Sequence, residues 1–327
     1  MASNERYEKM VYRRCGDKGL FLPLISLGMW HSFGTKDKIE NCRKLVLTAF
    51  ENGITHLDNA NNYGPPPGSS ERRLGEILKK DLKFHRHELI ISTKAGHLMW
   101  EGPYGSWGSR KHLFNSIDHS LTRLGQDYVD IFYHHRPDPE TSIEETAVAL
   151  HDIVKSGKAL YVGLSRYPSD MTDKIMKIFK ELKTPVVIHQ NSYSMLKRTI
   201  EVNRIKNIEK HKLGLIVYSP LAQGLLTDKY LNSIPRSSRA SRKAGNLSKD
   251  DITLKLVKKL NRLNSIAANR GITLAQLALL WILRHPQVTS ILMGASRMSQ
   301  ITENLKVIDM HQLSQTELKK INTILGV

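Results

Sequence analysis

Short β-rich runs recur along this 327-residue chain at 24–27 (LISL), 54–58 (ITHLD), 89–93 (LIIST), 129–133 (VDIFY), 160–164 (LYVGL), 186–190 (VVIHQ), 214–218 (GLIVY) and 288–293 (VTSILM). Amphipathic stretches of helical period separate them, over 38–52, 70–80, 110–124, 143–156, 170–183 and 199–212. A strand and a helix repeating every ~31 residues make right-handed crossovers between parallel strands, and eight such units close a sheet on itself. The pattern predicts a (β/α)8 TIM barrel of ~250 residues, an α/β fold. With decorations, that barrel accounts for residues 1–327 as a single domain.

Departures from the repeat are equally informative. The seventh and eighth runs lie some seventy residues apart, roughly forty more than one unit needs. This connection must hold an excursion containing the basic cluster PRSSRASRKAG (235–245), with an extra helix near 273–284. Ahead of the first run, YRRC and LFLP flank the turn signal GDKG, which predicts a β-hairpin plugging the lower end of the barrel. GPPPGSS (64–70) can neither continue a strand nor enter a helix before Ser69 or Ser70. WEGPYGSWGS (100–109), rich in glycine and aromatics, follows the third run and is placed to wall a pocket there.

The formal net charge of +18 raises nucleic acid and membrane surfaces as partners. Much of that charge sits at helical spacing, as in LKLVKKLNRLN (254–264), where it describes a solvated helix face, and no nucleic-acid-binding motif accompanies it. No apolar run approaches the ~18 residues that span a bilayer, and the polar start MASNERYEKM lacks the order of a secretory signal. Two cysteines, Cys15 and Cys42, supply neither a disulfide framework nor metal spacing. These features lead us to expect a cytoplasmic protein with a small-molecule substrate, no specific nucleic-acid partner and no membrane contact.

Asp58, Tyr63, Lys94 and His135 fall at or just beyond the ends of successive strands, where the loops of such a barrel converge. They sit in HLDNANNYG (56–64), IISTKAG (90–96) and VDIFYHHRPD (129–138). Those strings resemble the signatures of the aldo-keto reductase superfamily, and the resemblance covers nearly the whole chain. The residue types suit carbonyl reduction, in which a proton must reach oxygen as hydride reaches carbon. A phenol of pKa ~10 is a reluctant donor, and an ammonium about 4 Å away at an effective dielectric of ~20 favours its phenolate by roughly 4 kcal/mol. That is enough to lower the pKa by up to about 3, less whatever Asp58 offsets while keeping Lys94 charged. His135 has the reach to orient the carbonyl oxygen. A zinc site lacks HExxH or paired spacing, and the neighbours His134 and His135 point to opposite faces of a strand, so no metal is expected. A serine hydrolase lacks the GxSxG elbow.

No GxGxxG follows the first run, which argues against a Rossmann site. The resemblance implies NADP(H) bound extended across the barrel top instead. By that match, Ser165 and Arg166 in GLSRYP belong to a cofactor-binding segment, Gln190 holds the nicotinamide amide, Tyr218 stacks on its ring, Trp30 flanks nicotinamide or substrate, and Asp58 is a further cofactor contact. Ser219, Pro220, Leu221, Ala222, Gln223 and Gly224 cradle the pyrophosphate. Gly294, Ser296, Arg297, Gln300, Glu303 and Asn304 hold the adenosine end. On physical grounds GAS before a helix supplies free backbone N–H groups for phosphate, and the Arg297 fork suits a 2′-phosphate, favouring NADPH over NADH. Lys229 and Arg239 of the excursion are candidates to close over the pyrophosphate.

Arg166 after Ser165, LGMWHSFG (27–34) and the GASxxxQ pattern resemble the subgroup that includes potassium-channel β-subunits, and more narrowly bacterial L-glyceraldehyde 3-phosphate reductases. This implies reduction of small aldehydes of the L-glyceraldehyde 3-phosphate and methylglyoxal type, and a homo-oligomer, tetramer or octamer. The alternative is an NADP(H)-binding redox sensor or channel-modulating protein on the same fold. His135 weighs against it, since the channel subunits typically have Asn at the matching position.

Overall fold

The computed structural model describes residues 4–235, 238–241 and 247–327. Strands β3 (Ile25–Gly28), β4 (His56–Asp58), β5 (Ile90–Ala95), β6 (Val129–His134), β7 (Ala159–Ser165), β8 (Val186–Ser192), β9 (Gly214–Tyr218) and β10 (Val288–Met293) pair in sequence order, all parallel, and β10 returns to β3. The sheet is a closed (β/α)8 barrel. Ahead of it, β1 (Tyr12–Arg14) and β2 (Phe21–Pro23) form the expected antiparallel hairpin. Cys15, Leu20 and Leu22 from that hairpin cluster with Ile131, Ile188, Ile216 and Leu292 inside the barrel. Because Gly214 at the start of β9 abuts Cys15, the plug fills the end where the strands begin. All carboxyl ends therefore meet at the opposite, open rim.

Helices α1 (Ile39–Glu51), α2 (Ser69–Ile77), α3 (Arg110–Leu124), α4 (Ile143–Lys155), α5 (Ser169–Glu181) and α6 (Arg204–Lys210) alternate with these strands. Their apolar stripes explain the packing: α1 buries Cys42, Leu45, Val46, Ala49 and Phe50, the spacing of one helix face. Leu45, Val46 and Phe50 each contribute roughly 1.5–3 kcal/mol by leaving water. Polar signals set the ends. Ser109 and Ser142 cap α3 and α4 by accepting N–H bonds from His112 and Glu145, and Gly125 ends α3 in the left-handed region.

The stretch 199–212 departs from expectation. Instead of one helix it is a 3-10 turn, Thr199–Glu201, followed by α6 after a non-helical Asn203. Glu201 is drawn inward to accept bonds from Tyr193, Arg198 and Arg284, tertiary contacts that hold the turn apart from the helix. The long β9-to-β10 connection carries α7 (Leu254–Asn269) and α8 (Leu274–Leu283), together with a small apolar cluster of Leu225, Tyr230, Ala240 and Leu247. In α7, Leu260 and Leu263 face inward while Lys255, Lys258 and Arg262 are solvated. α9 (Met298–Leu305) and α10 (Gln315–Leu325) complete the chain. Among the described residues no single helix is long and apolar enough to cross a membrane. Cys15 and Cys42 are buried free thiols, pushed up by burial to about 12 and about 11, and so are unreactive at neutral pH.

Strand register gives the interior its contents. Lys94 pairs with Tyr133, which pairs with Gly163, so all three point inward at one level. The Tyr133 ring lies where a Cβ on Gly163 would stand, and the absence of that carbon lets the ring fill the barrel. Gly163→Ala is expected to lower unfolding free energy by about 1–3 kcal/mol through overpacking, measured by urea denaturation. A variant as stable as the parent would show that the ring has room to move.

Candidate active site at the barrel mouth

Asp58 is the last residue of β4, and Lys94 stands one residue before the end of β5. Parallel pairing sets both inward, and the Lys94 ammonium meets Asp58 Oδ2 at 2.5 Å and the Asn59 carbonyl oxygen at 2.7 Å. Both side chains are buried. The remaining oxygen of Asp58 accepts from Ser92 Oγ at 2.8 Å and Gln190 Nε2 at 3.3 Å, so the carboxylate is fully coordinated by donors. On the loop after β4, Tyr63 places its hydroxyl 3.5 Å from Lys94 Nζ. His135, the first residue past β6, sets its ring 5.9 Å from that of Tyr63, centroid to centroid. The four side chains thus converge on one point of the rim.

Their electrostatics correct one expectation. The Tyr63 phenol is not acidified: burial, followed by the charge of Asp58, holds its pKa well above the ordinary 10, with Arg166 as the opposing cation. Lys94 is within reach, but Asp58 lies a full ångström nearer to it and offsets much of its field. Burial pulls Lys94 down from its usual range while Asp58 pulls it up. Burial, with Lys94 and His97 adding to it, holds His135 well below 6.5, so the imidazole is neutral at physiological pH. Its Nδ1 is buried without a protein partner.

A polar chain beneath the site joins residues that no local motif links. Ser290 Oγ meets Ser26 Oγ at 2.6 Å, Ser26 meets His56 Nδ1 at 2.9 Å, and His56 Nε2 meets Ser92 Oγ at 3.0 Å, which reaches Asp58. All are buried. His56, Ser92 and Asn59 escaped the sequence reading. Alternation was the available signal, because His56 and Ser92 each stand two residues before Asp58 and Lys94 and so share their inward face. His134 points the other way, with Nδ1 2.5 Å from the Tyr167 hydroxyl. Among the described residues no His, Cys, Asp and Glu group has the arrangement to hold a metal ion.

The segments read as cofactor contacts border the same rim. Ser165 is buried with Oγ unpartnered, and Gln190 spends its amide nitrogen on the long bond to Asp58. Arg166 lies with its guanidinium carbon 5.6 Å from the centre of the half-exposed Tyr218 ring. An orphaned hydroxyl, an amide held only by a long bond and a flat aromatic face fit a nicotinamide ring and its carboxamide. Trp30, 40% exposed, stands 6.3 Å from Tyr63 between ring centres. After β9, Ser219, Ala222, Gln223 and Gly224 all have positive φ, while Leu221 and Pro220 link them. Three non-glycine residues in that region persist only where their surroundings dictate it, a mark of a functional loop.

At the β10 end the structure departs from the expected free N–H groups. The Gln300 side-chain carbonyl accepts from the Ser296 N–H at 2.8 Å and the Arg297 N–H at 3.3 Å, so a phosphate must displace it. Gly294, Ser296 and Arg297 are exposed. Glu303 pairs with Lys306 at 2.9 Å on the surface, and Asn304 is buried with Nδ2 against Met293 Sδ. Lys229 is exposed in a 3-10 turn with no ion-pair partner among the described residues. The side chain of Arg239 lies outside the described residues.

Burial holds His56 near 4 against 6.5 for the ordinary imidazole. Between those values the unfolded chain binds the proton that the fold refuses, so stability rises with pH through this window and the contribution levels off above it. His56→Gln is expected to lessen the stability difference between pH 7.5 and pH 5 by about 2 kcal/mol, read from denaturation at both pH values. An identical pH dependence in the variant would mean that His56 is accessible to protons in the fold.

Comparison with known proteins gives this geometry a context. Residues 24–325 match the model of the aldo/keto reductase family. The chain is 49% identical over 326 residues to an L-glyceraldehyde 3-phosphate reductase of Escherichia coli strain K12, covering 98% of this chain and 94% of that protein. It is 34% identical over 306 residues to a probable voltage-gated potassium channel β-subunit of Arabidopsis thaliana, with 92% of each covered. Among solved structures, an aldo-keto reductase from Bacillus halodurans in its holo form superposes with a TM-score of 0.76 at 26% identity, covering 96% of both chains.

Proposed function

Because this chain belongs to the aldo/keto reductase family, we propose that it uses NADPH to reduce small aldehydes of the L-glyceraldehyde 3-phosphate and methylglyoxal type to alcohols. The observation that carries the reading is the unbroken contact from Asp58 through Lys94 to the Tyr63 hydroxyl, faced by a neutral His135. Ser165 and Gln190 are the residues to hold the carboxamide, Tyr218 to stack on the ring, and the loop from Ser219 to Gly224 to follow the pyrophosphate. Arg297, exposed at the rim, is the residue to meet a 2′-phosphate. When bound, the cofactor supplies the hydride that reaches the carbonyl carbon.

The rest is proton and charge management by the chain itself. A neutral His135 donates a hydrogen bond to the carbonyl oxygen and fixes its direction without adding charge. Tyr63 is the proton donor. Its raised pKa keeps the phenol protonated at physiological pH, ready to give its proton to the substrate oxygen as negative charge develops there. Lys94 then stabilises the phenolate from 3.5 Å, and Asp58 keeps that ammonium charged and in place inside a dry site. Lys94 acts as the phenolate forms, because in the resting site Asp58 and burial outweigh it.

Steady-state NADPH oxidation with L-glyceraldehyde 3-phosphate and methylglyoxal tests the proposal directly. Tyr63→Phe should lower kcat ~100-fold or more, the usual share of general acid catalysis. Turnover at the parental rate would remove Tyr63 from the role. A fluorescence titration should show tighter binding of NADPH than of NADH, and the reverse order would refute the cofactor assignment.

A further inference from the structure

One arginine at the mouth belongs to none of these groups. Arg136 follows His135 and lays its guanidinium flat on the Trp107 indole, 3.6 Å from the ring centre. Its Nε donates to the Gly96 carbonyl oxygen at 2.9 Å, and the same oxygen accepts the Trp107 N–H at 3.1 Å. Gly96 precedes His97, whose ring meets that of His135 edge-on at 4.4 Å. Arg136 is thus fastened beside the residue whose ring faces that of Tyr63.

Its two terminal nitrogens make no hydrogen bond to protein among the described residues, and no carboxylate lies within ion-pair distance of either Arg136 or Arg166. Asp138 is the carboxylate that acts on Arg136, but its oxygens are committed to the N–H groups of Gly108, Glu140 and Thr141. Arg136 and Arg166 repel each other, and both act on His97, which burial and these two charges together hold near 4. A rigid guanidinium fork with both Nη groups unspent, in a positive field beside the reacting group, is built for a bidentate oxyanion. Trp107, 37% exposed, and Leu98, 55% exposed, offer apolar surface for a short carbon chain on the same loop.

Resting on the aldehyde-reductase reading above, we propose that Arg136, held by Trp107 and the Gly96 carbonyl, is the subsite that binds the phosphate of a phosphorylated aldehyde and selects it over uncharged aldehydes.

The test compares full-length parent, R136Q and R136K, with NADPH present, on L-glyceraldehyde 3-phosphate and on uncharged L-glyceraldehyde. In R136Q the ratio of kcat/KM for the phosphorylated over the uncharged aldehyde should fall ~30-fold or more, chiefly through KM, the scale of losing a desolvated charge partner. R136K should recover part of it, as a point charge without the fork. An unchanged ratio, or an equal loss on both substrates, would overturn the assignment. A second readout needs no turnover: inorganic phosphate should raise the Tm of the cofactor-loaded parent but not of cofactor-loaded R136Q, and equal shifts in both would also overturn it. A parent that binds phosphate through Arg136 yet reduces neither aldehyde would defeat the reductase reading while supporting the anion site.

Discussion

A carboxylate and an ammonium sit 2.5 Å apart at the open end of the barrel with almost no contact with solvent, and the site is organised around them. Withdrawing Asp58 and Lys94 from water costs several kcal/mol per ion, and their attraction offsets this only if every remaining hydrogen-bonding position is filled. The structure fills them. Ser92 and Gln190 serve Asp58, while the Asn59 carbonyl oxygen and the Tyr63 hydroxyl serve Lys94. Those partners come from β5, β8 and the loop after β4, so closure of the barrel is a condition for the pair to exist. The pair in turn fixes where Tyr63 stands.

The interior of the cylinder divides along its axis. Toward the plugged end, Leu22, Ile131, Ile188, Ile216 and Leu292 make an apolar filling with the hairpin. Ser26, His56, Ser92 and Ser290 form a hydrogen-bonded patch that leads up to Asp58. A buried polar network of this kind is tolerable only when its members are satisfied, and both ring nitrogens of His56 are. Above it, the mouth carries an excess of positive charge: Arg136 and Arg166 lower His97 and leave an anion as the natural complement. The surplus of the whole chain, +18, is spread far more widely, much of it on solvated helix faces such as that of α7. Charge at the mouth is distinct from charge in sum, because only the former is focused by a low-dielectric wall.

Sequence alone determined the barrel, its hairpin and the order of its strands. Apolar period and turn chemistry are local properties, and parallel strands joined by helices of that length have few other ways to pack. It also placed Asp58, Tyr63, Lys94 and His135 at one rim, because each lies at or near the carboxyl end of a strand. Only tertiary structure decided the rest. The helix read over 199–212 breaks because Glu201 is claimed by Tyr193, outside the helix, and by Arg284, far off in the chain. The N–H groups before α9 are covered by Gln300, a competitor four residues away from Ser296. The direction of the Tyr63 pKa reversed because a pairwise attraction to Lys94 omits both burial and the closer Asp58. The polar chain through His56 and the stacking of Arg136 on Trp107 join residues from separate strands and loops. Their energies depend on distance and dielectric, quantities that exist only once the sheet has closed.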